Sequence, residues 1–194
     1  MRAVTRVFLL VVLGAGPFLA GCGSSTDGTP QSSTPATTST ASGSGLAADA
    51  PTGYNPCTDV PQSVLDSEKL HKAVTNNRSD LDGPGGVKWR GCGWVRSNGY
   101  AVDIRVTNLT IPYIRGRGFA DTRDLTIGGR KAISTRREDS SPSEVCSINV
   151  EIKGGSLEFG LDNPPSRRET GATDTCQLGM TLAEKVVATL PAGV

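Results

Sequence analysis

Five cysteines, one histidine and a run of arginines are the side chains of this 194-residue chain whose types and spacing could do chemistry. Thiols bind metal, exchange as disulfides, attack carbonyls or carry acyl chains, and their spacing separates these uses. Cys57, Cys92, Cys146 and Cys176 include no Cys-x-x-Cys pair, the usual base of a zinc site. The one histidine lies in Glu68-Lys69-Leu70-His71-Lys72. Flanking lysines and the lack of an orienting acid make His71 a solvated histidine, not the base of a Ser-His-Asp triad. The chain has no Gly-x-Ser-x-Gly elbow, no Ser-x-x-Lys pattern and no Gly-x-x-x-x-Gly-Lys phosphate loop. The stretch Gly83-Pro84-Gly85-Gly86 lacks that lysine and reads as a loop. Glu138-Asp139 could in principle serve a glycosidase, but adjacent acids read more simply as a solvated edge. No catalytic residues, no cofactor and no metal site are expected.

The arginines raise a different chemistry. Arg115, Arg117, Arg123, Arg130, Lys131, Arg136 and Arg137 crowd one stretch, opposed inside it by Asp121 and Asp124. If they share a face, Arg115, Arg117, Arg130 and Lys131 are candidate contacts for anionic lipid headgroups or acidic wall polymers. If they do not, they form a charged strand edge that resists aggregation. The whole chain carries a formal charge of only +1, whereas a nucleic-acid-binding domain is strongly basic. No nucleic-acid partner is expected.

The fifth cysteine sits apart from the others. Arg2 and Arg6 precede an uncharged apolar run from Val7 to Ala20. A spanning helix needs roughly 20 apolar residues, so this run fits the core of an export signal. Leu19-Ala20-Gly21-Cys22 follows and resembles the bacterial lipobox. By that resemblance residues 1–21 are a lipoprotein signal peptide, and Cys22 becomes the acylated, palmitate-bearing first residue of the mature protein. Two acyl chains suffice for stable anchoring. The expected location is the outer face of the cell membrane, lipid-anchored, with the membrane itself a partner through the anchor. Loss of both leader arginines leaves 18 basic against 19 acidic side chains, a formal charge of −1.

Residues 22–52 are dominated by Ser, Thr, Gly, Pro and Ala, with almost no large apolar side chain. Such a segment cannot offset its ordering entropy by burial and reads as a disordered tether. Residues 53–194 are long enough for one core. Only 5% of the chain is aromatic, so that core is modest and cross-links would help it.

The patterns inside residues 53–194 give the elements. Asn55-Pro56-Cys57-Thr58-Asp59 is a turn cluster, and Asp59 or Ser63 could cap a short helix through Val64 and Leu65. Residues 66–86 read mainly as loop. Lys88 to Arg96 reads as a strand bent by Gly91 and Gly93, with Trp94 in the core. Tyr100 to Thr107 alternates apolar and polar, the mark of a half-buried strand, and Ser97-Asn98-Gly99 joins the two as a hairpin. Asp124 to Arg137 is a strand pair or bent strand around Gly128-Gly129. Cys146, Ile148, Val150 and Ile152 share one face of a strand. Gly154-Gly155 turns the chain, and Leu157, Phe159 and Leu161 return on the same face. Cys176, Met180, Ala183, Val187 and Leu190 recur at helical spacing, with Leu182 and Val186 widening the stripe. The fold class is α+β: an antiparallel β-sheet packed against a C-terminal α-helix, with two disulfides.

The pairing follows from these faces. Exported cysteines in even number read as disulfides. Cys146 lies on the inward face of its strand and Cys176 on the stripe of the helix that must cover it. Cys146 is therefore expected to pair with Cys176, and Cys57 with Cys92 by remainder.

The ordered set Tyr54-Asn55-Pro56-Cys57, Cys92-Gly93-Trp94, Gly128-Gly129-Arg130-Lys131-Ala132, Cys146, Cys176 and Leu190-Pro191 resembles an actinobacterial lipoprotein family of unknown function, the LprB/LprC-like domain. Asn55 stands where that family usually has an acid. The resemblance implies an envelope location and a Cys-paired α+β domain, and carries over no catalytic residue. The function expected first is a membrane-anchored, non-enzymatic binding or accessory module for an envelope polymer, lipid or protein partner. The second is a carrier or sensor of a small apolar ligand or lipid held between sheet and helix. The third is a hydrolase with an unrecognised site.

Overall fold

The computed structural model describes residues 45–137, 141 and 143–194. Cys22, the signal segment and the acid pair Glu138-Asp139 lie outside the described residues. Two short helices, α1 (Pro56–Asp59) and α2 (Gln62–Ser67), open the domain. The strands are β1 (Leu70–His71), β2 (Leu81–Asp82), β3 (Lys88–Arg96), β4 (Ala101–Thr107), β5 (Ala120–Ile127), β6 (Arg130–Arg136), β7 (Val145–Ile152) and β8 (Gly155–Asp162). Helix α3 (Ile111–Gly116) follows β4, and α4 (Thr175–Val187) follows β8.

All strand pairs are antiparallel, in the order β1-β3-β4-β8-β7-β6-β5, with β2 also paired to β3. Asn98 takes a left-handed φ of 55° in the β3–β4 hairpin, and Gly128 and Gly129 take 57° and 77° between β5 and β6. These are the conformations that Asn-Gly and Gly-Gly turns supply at least cost.

One face of the sheet is the core. Ile104, Ile148, Val150, Leu157 and Phe159 are fully buried there, and Trp94 is 3% exposed. Helix α4 covers this face with Leu182, Ala183, Val186 and Val187. The Asp174 carboxylate caps its start by accepting from the Gln177 N–H at 3.1 Å. The helix ends at Val187, so Leu190 packs from the segment beyond it. Both expected disulfides are present, Cys57–Cys92 and Cys146–Cys176. Below α4, Glu68 accepts from the Tyr100 hydroxyl at 3.2 Å and from the Lys185 ammonium, tying α2 to β4 and α4. Burial, then the nearby Glu68 carboxylate, holds the Tyr100 hydroxyl well above the usual phenol range.

The helix approaches the sheet closely through a glycine, Gly179. A Cβ added at Gly179 would stand 2.9 Å from Ile148 Cγ1 and 3.1 Å from Leu161 Cδ1. Glycine normally weakens a helix interior, and here it permits close approach. At Gly179 Ile148 and Leu161 occupy the space that an apolar ligand between sheet and helix would need. Gly179→Leu is expected to cost about 1–3 kcal/mol by overpacking. Urea unfolding checks this through a lower midpoint at unchanged slope. An unchanged midpoint would mean that the interface has spare room.

Two local expectations also change. Helix α2 starts after Pro61 with no side-chain cap. Asp59 instead accepts from the Asn55 N–H at 2.8 Å, while Asn55 accepts from the Cys57 N–H at 3.1 Å. Residues 45–52, assigned to the tether on composition, lie against the domain. The Asn108 amide donates to Ala47 O at 2.9 Å, Thr110 Oγ1 donates to Gly45 O at 2.9 Å, and Ala50 is 6% exposed.

Candidate functional site: a trough across the open sheet face

The face opposite α4 is only partly covered. Helix α3 sits over β6, where Ile111 and Ile114 pack on Ile133. The rest of the face is built from residues that alternate with the core. Register places Gly93, Asp103, Gly160, Ser147 and Thr135 side by side on β3, β4, β8, β7 and β6. Opposed residues of antiparallel strands project from the same face. Small residues at four of these five positions lower the floor into a channel running across the strands. Four strand spacings give it a length of about 19 Å.

Two depressions of about 270 and 470 Å³ adjoin along Asp103, Gly160 and Asp162, and together they make up the trough. Val74, Leu81 and Phe119 are the exposed large hydrophobic residues among those described, and all three line it. One wall is a polar cluster. Glu158, 7% exposed, accepts from the Trp89 indole N–H and from Arg105 Nη2, the latter at 3.0 Å. The Arg105 guanidinium lies 5.8 Å from the Trp89 ring centroid, within cation–π range. Asp103 lies 3.9 Å from Arg105 Nη1. Among the described residues, three cations (Arg78, Arg105, Arg137) and three acids (Asp103, Glu158, Asp162) line the trough, a formal balance of zero. Ser79 Oγ and Arg105 Nε, two of the three buried side-chain polar atoms without a protein hydrogen-bond partner among the described residues, also belong to it.

The arginine stretch is not assembled into one surface. Arg115 pairs with Asp124 beside α3. Arg130 projects on the α4 side, where Nη1 donates to Val194 O at 2.7 Å and Glu151 O at 3.3 Å. Lys131, its neighbour on β6, projects to the opposite face, and Arg117 is exposed at the end of α3. Arg136 is 9% exposed at its side chain and bridges Asp121 at 3.1 Å and Asp174 at 2.5 Å, tying β5 and α4 to β6. Hydrogen bonds from Arg123 and then Arg136 hold the Asp121 carboxyl below the usual carboxylate range. Arg130 therefore lies on the other face of β6 from Lys131, and the four candidate contacts Arg115, Arg117, Arg130 and Lys131 do not all share one face. His71 is exposed on β1. Among the described residues no cluster of three His, Cys, Asp or Glu side chains could hold a metal ion, and no helix is long and apolar enough to cross a membrane.

Sequence reasoning missed the trough residues. Alternation marks Asp103 and Arg105 as outward-facing but does not bring them beside Glu158 or Ser147. The available signal was glycine at Gly93 and Gly160, since a merely solvated face has no need of bare backbone.

Fold and site together define a disulfide-clamped α+β domain with a covered core face and an open, grooved one. The family model described as "Protein of unknown function (DUF3558)" matches residues 17–189, and the chain belongs to that family. Neither the curated proteins nor the solved structures contain a match to it.

Proposed function

We propose that this chain is a lipid-anchored envelope protein that binds a partner through the trough and catalyses no reaction on it. Residues 1–21 direct export, Cys22 carries the acyl anchor, and the outer face of the cell membrane is its location. The lipobox Leu19-Ala20-Gly21-Cys22 and the basic, apolar leader before it support this. The ordered cysteine, tryptophan and glycine set supports an actinobacterial, LprB/LprC-like lipoprotein.

The trough carries the binding reading. Exposed apolar side chains scattered singly need no explanation, but grouped around one concave surface they mark a binding site. Val74, Leu81 and Phe119 border the one sheet face that α4 leaves open. Glu158, the most buried acid there, is held by Trp89 and Arg105 in a fixed pair of hydrogen bonds, which suits a binding wall.

Gly160→Tyr fills the trough with limited disturbance elsewhere. An added Cβ meets only the ends of Arg105 and Glu158, each at 3.4 Å. Native mass spectrometry of the protein extracted from its own membrane is expected to show a bound envelope component on the wild type that is lost from Gly160→Tyr. Identical spectra would contradict the reading.

A further inference from the structure

We infer that the trough takes an extended, uncharged, hydroxyl-rich polymer, a neutral glycan strand, laid across β3, β4, β8, β7 and β6. This inference rests on the trough being the binding surface, and names what fills it.

Shape comes first. The channel spans about 19 Å, so it suits a linear chain of several sugar rings better than one compact molecule. Charge comes second. The described residues of the lining are formally neutral in sum, and Asp103 and Asp162 stand on its floor. With Arg78, Arg105 and Arg137 balancing Asp103, Glu158 and Asp162, a polyanion gains no net attraction there, and a neutral strand needs none.

Hydrogen-bonding capacity comes third. The floor offers carboxylate acceptors at Asp103 and Asp162 and hydroxyls at Ser147 and Thr135. Sugar hydroxyls both donate and accept, and so match this mixture. An acyl chain would leave these polar groups desolvated without partners, at a cost of about 1–3 kcal/mol each. Phe119 and Leu81 stand at the margins, where apolar ring faces of a sugar can rest.

A peptide fits less well. Extended peptides gain most of their affinity by pairing with a free strand edge. The trough floor lies on strands already paired on both sides. The outer edge of β3 is itself occupied by β1 and β2, with Ser79 N–H donating to Gly91 O and Gly93 N–H donating to Asn77 O.

The test uses the full chain, purified in detergent with its disulfides intact, and follows backbone and indole N–H signals by NMR. The probes are cellohexaose, chitohexaose and a linear mannohexaose, with a neutral decapeptide and phosphatidylglycerol vesicles as competitors. At least one hexasaccharide is expected to shift Gly93, Gly160 and the Trp89 indole saturably, at a Kd below the order of 1 mM. Gly160→Tyr is expected to bind roughly tenfold or more weakly, with an unchanged unfolding midpoint. No shift with any hexasaccharide, or shifts at these positions with only the peptide or the vesicles, would overturn the inference. If the hexasaccharides fail while the Gly160→Tyr native spectra still lose the bound component, the glycan falls and the binding trough stands. If both fail, both fall.

Discussion

Replacing Cys146 and Cys176 together by alanine is expected to lower the unfolding free energy by about 3.7 kcal/mol. The bond closes a loop with a sequence separation of 30 residues. In the chain-entropy description, that loop removes about this much freedom from the unfolded chain. Domains are typically stable by only about 5–15 kcal/mol, so the loss is a large part of the total. The position sharpens the effect. Cys146 is fully buried on the core face, and Cys176 stands in the first turn of α4, the helix that covers that face. Without the bond, α4 is held by Leu182, Ala183, Val186 and Val187 and by the Asp174–Arg136 contact. Urea unfolding of the oxidised wild type beside the double variant measures the difference. The slope should rise, because the uncrosslinked unfolded chain exposes more surface. A loss under about 1 kcal/mol would show that the helix docks without the clamp.

Cys22→Ser is expected to change the mass and the membrane attachment of the whole protein. In lipobox processing the thiol is acylated before the leader is cut. A serine takes no thioether-linked lipid, so the variant should keep residues 1–21 and carry no acyl mass. The wild type should weigh as residues 22–194 plus its acyl groups. One chain binds a bilayer only marginally and two anchor it, so the wild type should partition wholly with membrane or detergent. Intact mass spectrometry of both proteins from the same host reads the outcome. A wild type without acyl mass would remove the anchor from the account.

The parts of the fold legible in the sequence share a cause. Cys146, Ile148, Val150 and Ile152 alternate strictly because one face of β7 meets α4 and the other does not. The same periodicity exposed the β7–β8 hairpin, the α4 stripe and, through the facing cysteines, the Cys146–Cys176 bond, with Cys57–Cys92 following by remainder. Local patterns of this kind need no knowledge of which strand neighbours which. The trough does need it. Asp103 reaches Gly160 only because β4 pairs with β8, more than 50 residues further on, and Gly160 reaches Thr135 only through β7. Each of these positions reads alone as an outward polar or glycine residue.

Alternation also divides the arginine stretch. Arg130 and Lys131 are adjacent in the chain and so project to opposite faces of β6. The tether boundary was hidden differently. Residues 45–52 have the composition of a linker, but the fully buried Asn108 holds them through its side chain, and Lys88 pairs with Asp49 at 3.2 Å. A buried asparagine that satisfies a distant backbone has no signature in composition.

The central claim is that the sheet face opposite α4 binds a component of the envelope. The most direct measurement compares native mass spectra of three proteins taken from their own membrane: the wild type, Gly160→Tyr in the trough, and Thr181→Tyr on the exposed side of α4. The account predicts the same bound mass on the wild type and on Thr181→Tyr, and its loss from Gly160→Tyr. A bound mass that survives on Gly160→Tyr, or that only Thr181→Tyr removes, would contradict it.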